Sequence, residues 1–241
     1  MNQKYVLVTG SSRGLGLEIA KGLSYSGYNI ILTGRDKKSL ALALQKLNPK
    51  LEHIVLKIDL SKKNFLQKIV KKVRDLKVFG LVHNYGINIP NDSHPIDIEI
   101  LNKSIYNNFT VSLKINEYFL KQESLKKILY IGSSASLHAK ASPSYVISKG
   151  IINSYVKNVS QEYINKGILI CAVLPGILAH EGSSWDIKKK LELKKYNVTK
   201  KKQPLHRFAQ PTDISPYIVD IMNQKSLMLT GSILKLDANE Y

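Results

Sequence analysis

Tyr5-Val6-Leu7-Val8-Thr9-Gly10-Ser11-Ser12-Arg13-Gly14-Leu15-Gly16 is the stretch that decides the fold of this 241-residue chain. Its opening apolar run reads as a strand covered on both faces, as parallel strands are. Gly10, Gly14 and Gly16 then allow a tight turn, a close backbone approach to a pyrophosphate, and a helix packed hard against the sheet. Helical periodicity follows over Leu15–Ser26, and the N-terminus of such a helix offers oriented N–H donors and a favourable dipole to phosphates. A glycine-rich turn without a ligand is the plainer alternative. The order strand, glycine loop, helix favours a dinucleotide, held by Gly10, Ser12, Arg13, Gly14, Leu15 and Gly16.

Outward from that segment, short apolar runs alternate with longer helical ones. Ile30-Ile31-Leu32, Ile54-Val55-Leu56, Leu81-Val82, Ile128-Leu129-Tyr130-Ile131, Leu169-Ile170-Cys171-Ala172-Val173 and Ile233-Leu234-Lys235-Leu236 read as further strands. Helical patterns lie at Lys38–Leu47, Phe65–Leu76, Asp97–Gln122, Ser144–Asn165 and Thr212–Met222. Ser61, Thr212 and Asp213 sit where N-caps are useful, and Pro211 suits a first helical turn. The alternation predicts an α/β fold: a Rossmann-type doubly wound parallel sheet of about seven strands with helices on both faces. One domain over residues 1–241 is expected. Residues 180–206 break the rhythm, being lysine-rich and weakly periodic, and are expected to form a mobile substrate flap.

The formal charge is +18. Lysine supplies most of it, in a chain also rich in Asn and Ile, which fits compositional bias and a solvated surface. No metal-ligand Cys/His spacing or aromatic-interleaved basic strand accompanies the charge, so neither a nucleic-acid partner nor a metal is expected. No apolar run approaches the ~20 residues needed to cross a bilayer. Nor does the N-terminal region carry the long apolar stretch and cleavage site of a secretory signal. A cytoplasmic protein with no membrane partner is therefore expected. The single cysteine, Cys171, reads as a buried core thiol.

The end of the second strand, Leu32-Thr33-Gly34-Arg35-Asp36, bears on which dinucleotide is preferred. An acid that grips both ribose hydroxyls is usual for NAD, and Gly34 stands in its place. Arg35, with Arg13 reaching from the loop, suits a 2′-phosphate because a planar guanidinium pairs phosphate oxygens. Asp36 comes one residue late and is placed to cap the next helix. NADP(H) is the expected cofactor.

Tyr145-Val146-Ile147-Ser148-Lys149 puts a phenol and an ammonium on one helix face. A free tyrosine has a pKa of ~10, and a nearby cation lowers it towards use as a general acid or base. Alone, the pair reads more readily as a surface i,i+4 contact.

Together with the glycine loop, that pair resembles the short-chain dehydrogenase/reductase family, in its short single-domain branch, over almost the whole chain. The resemblance extends to Asp59 and Leu60 after the third strand, where the family contacts adenine. It includes Asn84 and Gly86 in His83-Asn84-Tyr85-Gly86, half of the family's Asn-Asn-Ala-Gly element. Asn108 lies where the family has a catalytic asparagine, and Ser133 where it has a catalytic serine. Pro175-Gly176-Ile177 falls at the family's nicotinamide-side turn, and Arg207–Pro211 and Thr230-Gly231 resemble its last helix and strand approaches.

The resemblance implies roles. Ser133 polarises a substrate carbonyl, Tyr145 donates the proton as hydride arrives, and Lys149 binds the nicotinamide ribose and depresses the Tyr145 pKa. Asn108 holds a water that links Lys149 to solvent. A homotetramer or homodimer is implied as well. Departures are visible. His83 and Tyr85 replace Asn and Ala, either adding bulk beside the cleft or altering packing at a strand end. The Ser133–Tyr145 stretch is slightly short, which leaves Ser134 as a second candidate serine. His180 stands where many members carry a threonine on the nicotinamide amide, and Asp237-Ala238-Asn239 replaces Asp-Gly-Gly.

The activity implied is NADPH-dependent reduction of a small-molecule or carrier-linked carbonyl. 3-Oxoacyl-(acyl-carrier-protein) reduction leads, and the lysines of 188–202 would suit an acidic carrier or a nucleotide-linked substrate. A sugar or polyol oxidoreductase in surface-polysaccharide biosynthesis is the alternative. A non-catalytic NADP-binding regulator is a third reading, because the fold tolerates it.

Overall fold

The computed structural model describes residues 3–240. The first half runs β1 (Tyr5–Val8), α1 (Gly14–Tyr25), β2 (Asn29–Gly34), α2 (Lys37–Gln45), β3 (Ile54–Lys57), α3 (Phe65–Val73) and β4 (Val78–His83). Then come α4 (Ile98–Ile105), a π-helical turn (Tyr106–Thr110), α5 (Val111–Phe119) and β5 (Lys127–Ile131). The remainder is α6 (Ala135–His138), α7 (Pro143–Tyr163), β6 (Leu169–Pro175), α8 (Ser184–Leu191), α9 (Leu193–Lys202), α10 (Pro211–Asn223) and β7 (Ile233–Leu236).

All seven strands are parallel, in the order β3-β2-β1-β4-β5-β6-β7. Leu7 stands beside Ile31 on one side and Leu81 on the other. The chain reverses its direction of winding between β1 and β4, and a doubly wound sheet opens its ligand crevice at that point, beyond the strands' carboxyl ends.

Alternate residues of each strand feed two cores. Leu7, Ile31, Ile128 and Ile170 pack with Phe65 and Ile69 of α3, Ile115 and Phe119 of α5, and Ile152 and Val156 of α7. Val6, Val8, Ile30, Leu129 and Cys171 face the other way, onto Ile19 and Leu23 of α1, Leu40 of α2 and Ile218 of α10. Each such buried aliphatic side chain contributes about 1.5–3 kcal/mol relative to exposure. Both faces being covered explains why the strands read as unbroken apolar runs.

Three local expectations are corrected. The helix expected over Asp97–Gln122 is interrupted by the π-turn, which brings Asn107 and Asn108 inward to burial. The cap of α10 is not Thr212 or Asp213 alone but a box: Gln210 and Asp213 exchange side-chain-to-backbone bonds around Pro211. Ser61 does not cap α3, whose N-cap position is Asn64; its N–H and hydroxyl are given to Asp59. Residues 180–206 contain the two helices α8 and α9.

Candidate active site

The glycine loop is bound to the rest of the crevice by threonine and asparagine. Thr9 Oγ1 accepts the N–H groups of Asn84 (2.9 Å) and Tyr85 (3.0 Å), and Asn84 Nδ2 donates to the carbonyls of Thr9 and Gly10. Gly10 and Gly14 have φ of +64° and +57°. A Cβ on Gly16 would lie 2.4 Å from the Gly10 oxygen and 2.5 Å from Asn84 Nδ2, so only glycine fits there. Helix α1 starts without a side-chain cap, which leaves its first-turn N–H groups for a phosphate. Leu15 is buried, so its backbone is what it can offer.

The floor of the adenosine end follows from β2 and β3. A Cβ on Gly34 would come within 2.9 Å of Ser12 Cβ, which leaves no room for an acidic side chain. Asp36 caps α2, accepting Ser39 N–H at 2.6 Å and its hydroxyl at 2.7 Å. Arg13 and Arg35 are both exposed. The hydroxyl of Ser61 (2.7 Å) holds the Asp59 carboxyl below its ordinary range, with Arg35 and Lys62 adding to the effect. Leu60 is in the core, so only its backbone faces the crevice.

Tyr85 closes this end. Its hydroxyl donates to Asn107 Oδ1 at 2.6 Å, and burial together with the Asp59 carboxylate pushes its phenol up to about 12. His83 faces the core instead of the cleft. It hydrogen-bonds Asn116 Oδ1 at 2.8 Å and lies 4.8 Å from the Tyr130 ring. Burial pulls its imidazole down to about 4, so it is neutral. Of the two departures in this element, His83 is therefore strand-end packing, while Tyr85 bears on the crevice.

Ser133, Tyr145, Lys149 and Asn108 converge beyond the ends of β4 and β5. The Ser133 side chain lies on the Tyr145 phenol side and pulls its pKa down. Ser134 is buried, with its N–H on the Pro175 carbonyl at 2.9 Å, so Ser133 is the serine on the tyrosine side. Lys149 is buried and donates to the Ile131 carbonyl at 2.8 Å, with Nζ 5.9 Å from the centre of the Tyr145 ring. A Cβ on Gly86 would be 3.3 Å from that Nζ and 2.6 Å from Asn108 Oδ1, so Gly86 brings the two together.

Burial pulls the Lys149 ammonium down to about 8. Burial also pushes the Tyr145 phenol up, against the pull of Ser133. The lowering expected from Lys149 is not among the influences on this phenol, which burial dominates.

Asn108 is bonded closely within the protein. Its Oδ1 accepts Ile87 N–H at 2.8 Å, and its Nδ2 donates to Ile87 O, Ser104 Oγ and Ser148 Oγ at 2.9–3.1 Å. Both amide protons are committed to protein, and Oδ1 keeps a second lone pair that a water could occupy. What it does is tie the segment after β4 to α7.

Pro175-Gly176-Ile177 leaves β6 beside Ser134. A residue that sequence reading missed holds this turn: both carboxylate oxygens of Glu240 accept Ile177 N–H, at 3.0 and 2.9 Å. A Cβ on Gly176 would be 2.4 Å from Glu240 Oε2. Beyond the turn, residues 180–182 lie against the glycine loop. A Cβ on Gly14 would be 2.5 Å from His180 Cε1, and one on Gly182 would be 2.7 Å from Arg13 Nη1. Among the described residues, no helix is long and apolar enough to cross a membrane.

Comparison with known proteins agrees with this architecture. A family model for short chain dehydrogenases matches residues 4–190. A glucose 1-dehydrogenase of Gluconobacter oxydans (strain 621H) is 29% identical over 97% of this chain and 90% of its own length. A 3-oxoacyl-(acyl-carrier-protein) reductase of Rickettsia typhi is 26% identical over 97% of this chain and 95% of its own. The L-sorbose reductase of Gluconobacter frateurii, solved with NADPH and L-sorbose, shares the fold at TM-score 0.88 and 21% identity, covering 98% of this chain and 96% of that one. A variant actinorhodin polyketide ketoreductase with NADPH superposes at TM-score 0.83 and 19% identity, with 98% of both chains covered.

Proposed function

The chain belongs to the short chain dehydrogenase family of oxidoreductases, and we propose that it is an NADPH-dependent reductase that turns a carbonyl into an alcohol. The observation that carries this reading is Ser133 set beside the Tyr145 phenol, with the buried Lys149 one helical turn away. The cradle fits a dinucleotide, since Gly16 and Gly14 are positions where any Cβ would close it. Gly10, Ser12, Arg13, Gly14, Leu15 and Gly16 would hold the phosphates, with Asn84, Gly86 and the Pro175-Gly176-Ile177 turn alongside. Asp59 and Leu60 would face the adenine, and Arg13 and Arg35 a 2′-phosphate. When bound, NADPH supplies the hydride.

The rest is done by this chain's side chains. Ser133 donates to the substrate oxygen and polarises the carbonyl. Tyr145 holds its proton at neutral pH, as an ordinary phenol does, and it gives that proton to the oxygen as charge develops there. Lys149 has three N–H donors and gives one to Ile131 O, so two remain for a ribose. Asn108 fixes the backbone against which Lys149 is set.

A 3-oxoacyl thioester is the first substrate class proposed, supported by relatives such as the Rickettsia typhi reductase. A sugar or polyol is the second, supported by the Gluconobacter oxydans glucose 1-dehydrogenase and the fold shared with L-sorbose reductase. Residues 180–206 would move as a flap over the substrate, and the assembly would be a homodimer or homotetramer in the cytoplasm. NADPH oxidation measured against a panel of ketones, 3-oxoacyl thioesters and ketoses tests the reading. Turnover with one class supports it; NADPH binding without oxidation of any member points to a regulator instead.

A further inference from the structure

Helix α7 begins without a cap of its own. Ser142, at the N-cap position, makes no side-chain cap bond, and Pro143 in the first turn has no N–H to give. The first N–H therefore belongs to Ser144. Asp92, from the segment between β4 and α4, takes it: Oδ2 accepts Ser144 N–H at 2.8 Å, and Oδ1 accepts the Ser144 hydroxyl at 2.8 Å. Asn88, from the same segment, accepts the Ser142 hydroxyl at 2.8 Å. On the other side, Ser104 of α4 donates to the Ser144 carbonyl at 3.1 Å and pairs with the Ser148 hydroxyl at 3.0 Å.

Ser144 and Ser148 lie four apart, as do Tyr145 and Lys149 one position later. On a helix these are two adjacent stripes about 100° apart, so fixing one stripe fixes the direction of the other. Ser104, Ser144 and Ser148 are fully buried, which leaves the serine stripe little freedom. A carboxylate at a helix N-terminus is also favoured by the helix dipole.

We propose that Asp92 is a positioning residue for the reaction: a cap supplied from outside the helix that sets the first turn of α7 and thereby aims the Tyr145 hydroxyl. The inference rests on the reading of Tyr145 as the proton donor. Neither oxygen of Asp92 needs to touch the substrate, since both are used on Ser144.

The test compares Tyr145→Phe, Asp92→Ala and Asp92→Asn at saturating NADPH. It uses the member of the ketone, thioester and ketose panel that the wild type reduces fastest, and each variant's folding is checked by melting. Asp92→Ala is expected to lower kcat about tenfold with the NADPH KM unchanged, as a small misaim of a reacting group does. Asp92→Asn keeps an acceptor for the N–H and a donor for the hydroxyl, and is expected to recover kcat to within about threefold. Wild-type kcat in folded Asp92→Ala overturns the proposal, and so does a loss confined to the substrate KM, which would mark a substrate contact. Should Asp92→Ala not fold, Asp92→Glu decides: a longer arm displaces the turn and lowers kcat, and wild-type kcat there overturns the proposal equally. An active Tyr145→Phe would instead remove the reading of Tyr145, whatever Asp92 does.

Discussion

Glu240 grips the backbone N–H of Ile177 with both oxygens of its carboxylate, at 3.0 and 2.9 Å. Burial pushes its carboxyl up to about 6, with Asp237 adding and the Ile177 bond opposing. The folded chain thus holds this proton more tightly than the unfolded chain does. The stabilisation from this group is complete below the ordinary glutamate pKa of 4.5 and is lost as pH rises through about 6. Glu240→Gln has no such proton. Relative to that variant, the wild type is expected to gain melting temperature as pH falls from 7 to 4.5; a difference that stays constant over that range counts against the assignment.

A second prediction concerns the residues just before it. Ala238 and Asn239 have φ of +52° and +60°, so this segment keeps a left-handed path without the glycines of the family pattern. A left-handed conformation costs a side-chain-bearing residue about 1–2 kcal/mol. Asn tolerates it better than Ala does. Ala238→Gly is expected to stabilise the fold by about 1 kcal/mol after the extra flexibility of the unfolded chain is counted. Urea denaturation measures this, and an unchanged or lower midpoint contradicts it.

Cofactor choice gives a third. Gly34 is too close to Ser12 to admit an acid, and Asp36 is occupied as the cap of α2. Arg35 is then the group proposed to separate the two dinucleotides. Arg35→Ala is expected to weaken NADPH binding about tenfold, in line with a lost charge-assisted bond, and to leave NADH nearly unaffected. Fluorescence titration with both nucleotides checks it; an unchanged ratio of affinities removes the assignment.

What could be read from the chain follows from how local each feature is. The loop Gly10–Gly16 and the pair Tyr145–Lys149 are each contiguous, and a strand-loop-helix or a spacing of four shows in sequence without knowledge of the rest. The alternating strands showed because both of their faces are buried. Helices α8 and α9 did not, because neither buries a single residue and so neither carries an apolar stripe. The π-turn at Tyr106–Thr110 inserts no distinctive residue type, so the run Asp97–Gln122 looked continuous. Choosing Ser133 over Ser134 needed the Pro175 carbonyl, which lies on the neighbouring strand. The bonds Asp92–Ser144, Tyr85–Asn107 and Glu240–Ile177 span many residues, and no periodicity announces them. His83 was ambiguous because its rotamer, into the core or into the cleft, depends on Asn116 and Tyr130.

The central claim is that Tyr145 is the proton donor of a reductase. Tyr145→Phe removes one hydroxyl and leaves the ring, the helix and the glycine loop in place. Steady-state NADPH oxidation on the best substrate, beside NADPH affinity by titration, tests it most directly. Turnover is expected to fall by about 10³-fold, the range for loss of a general acid, with NADPH affinity held within about twofold. Wild-type turnover in a folded Tyr145→Phe contradicts the account.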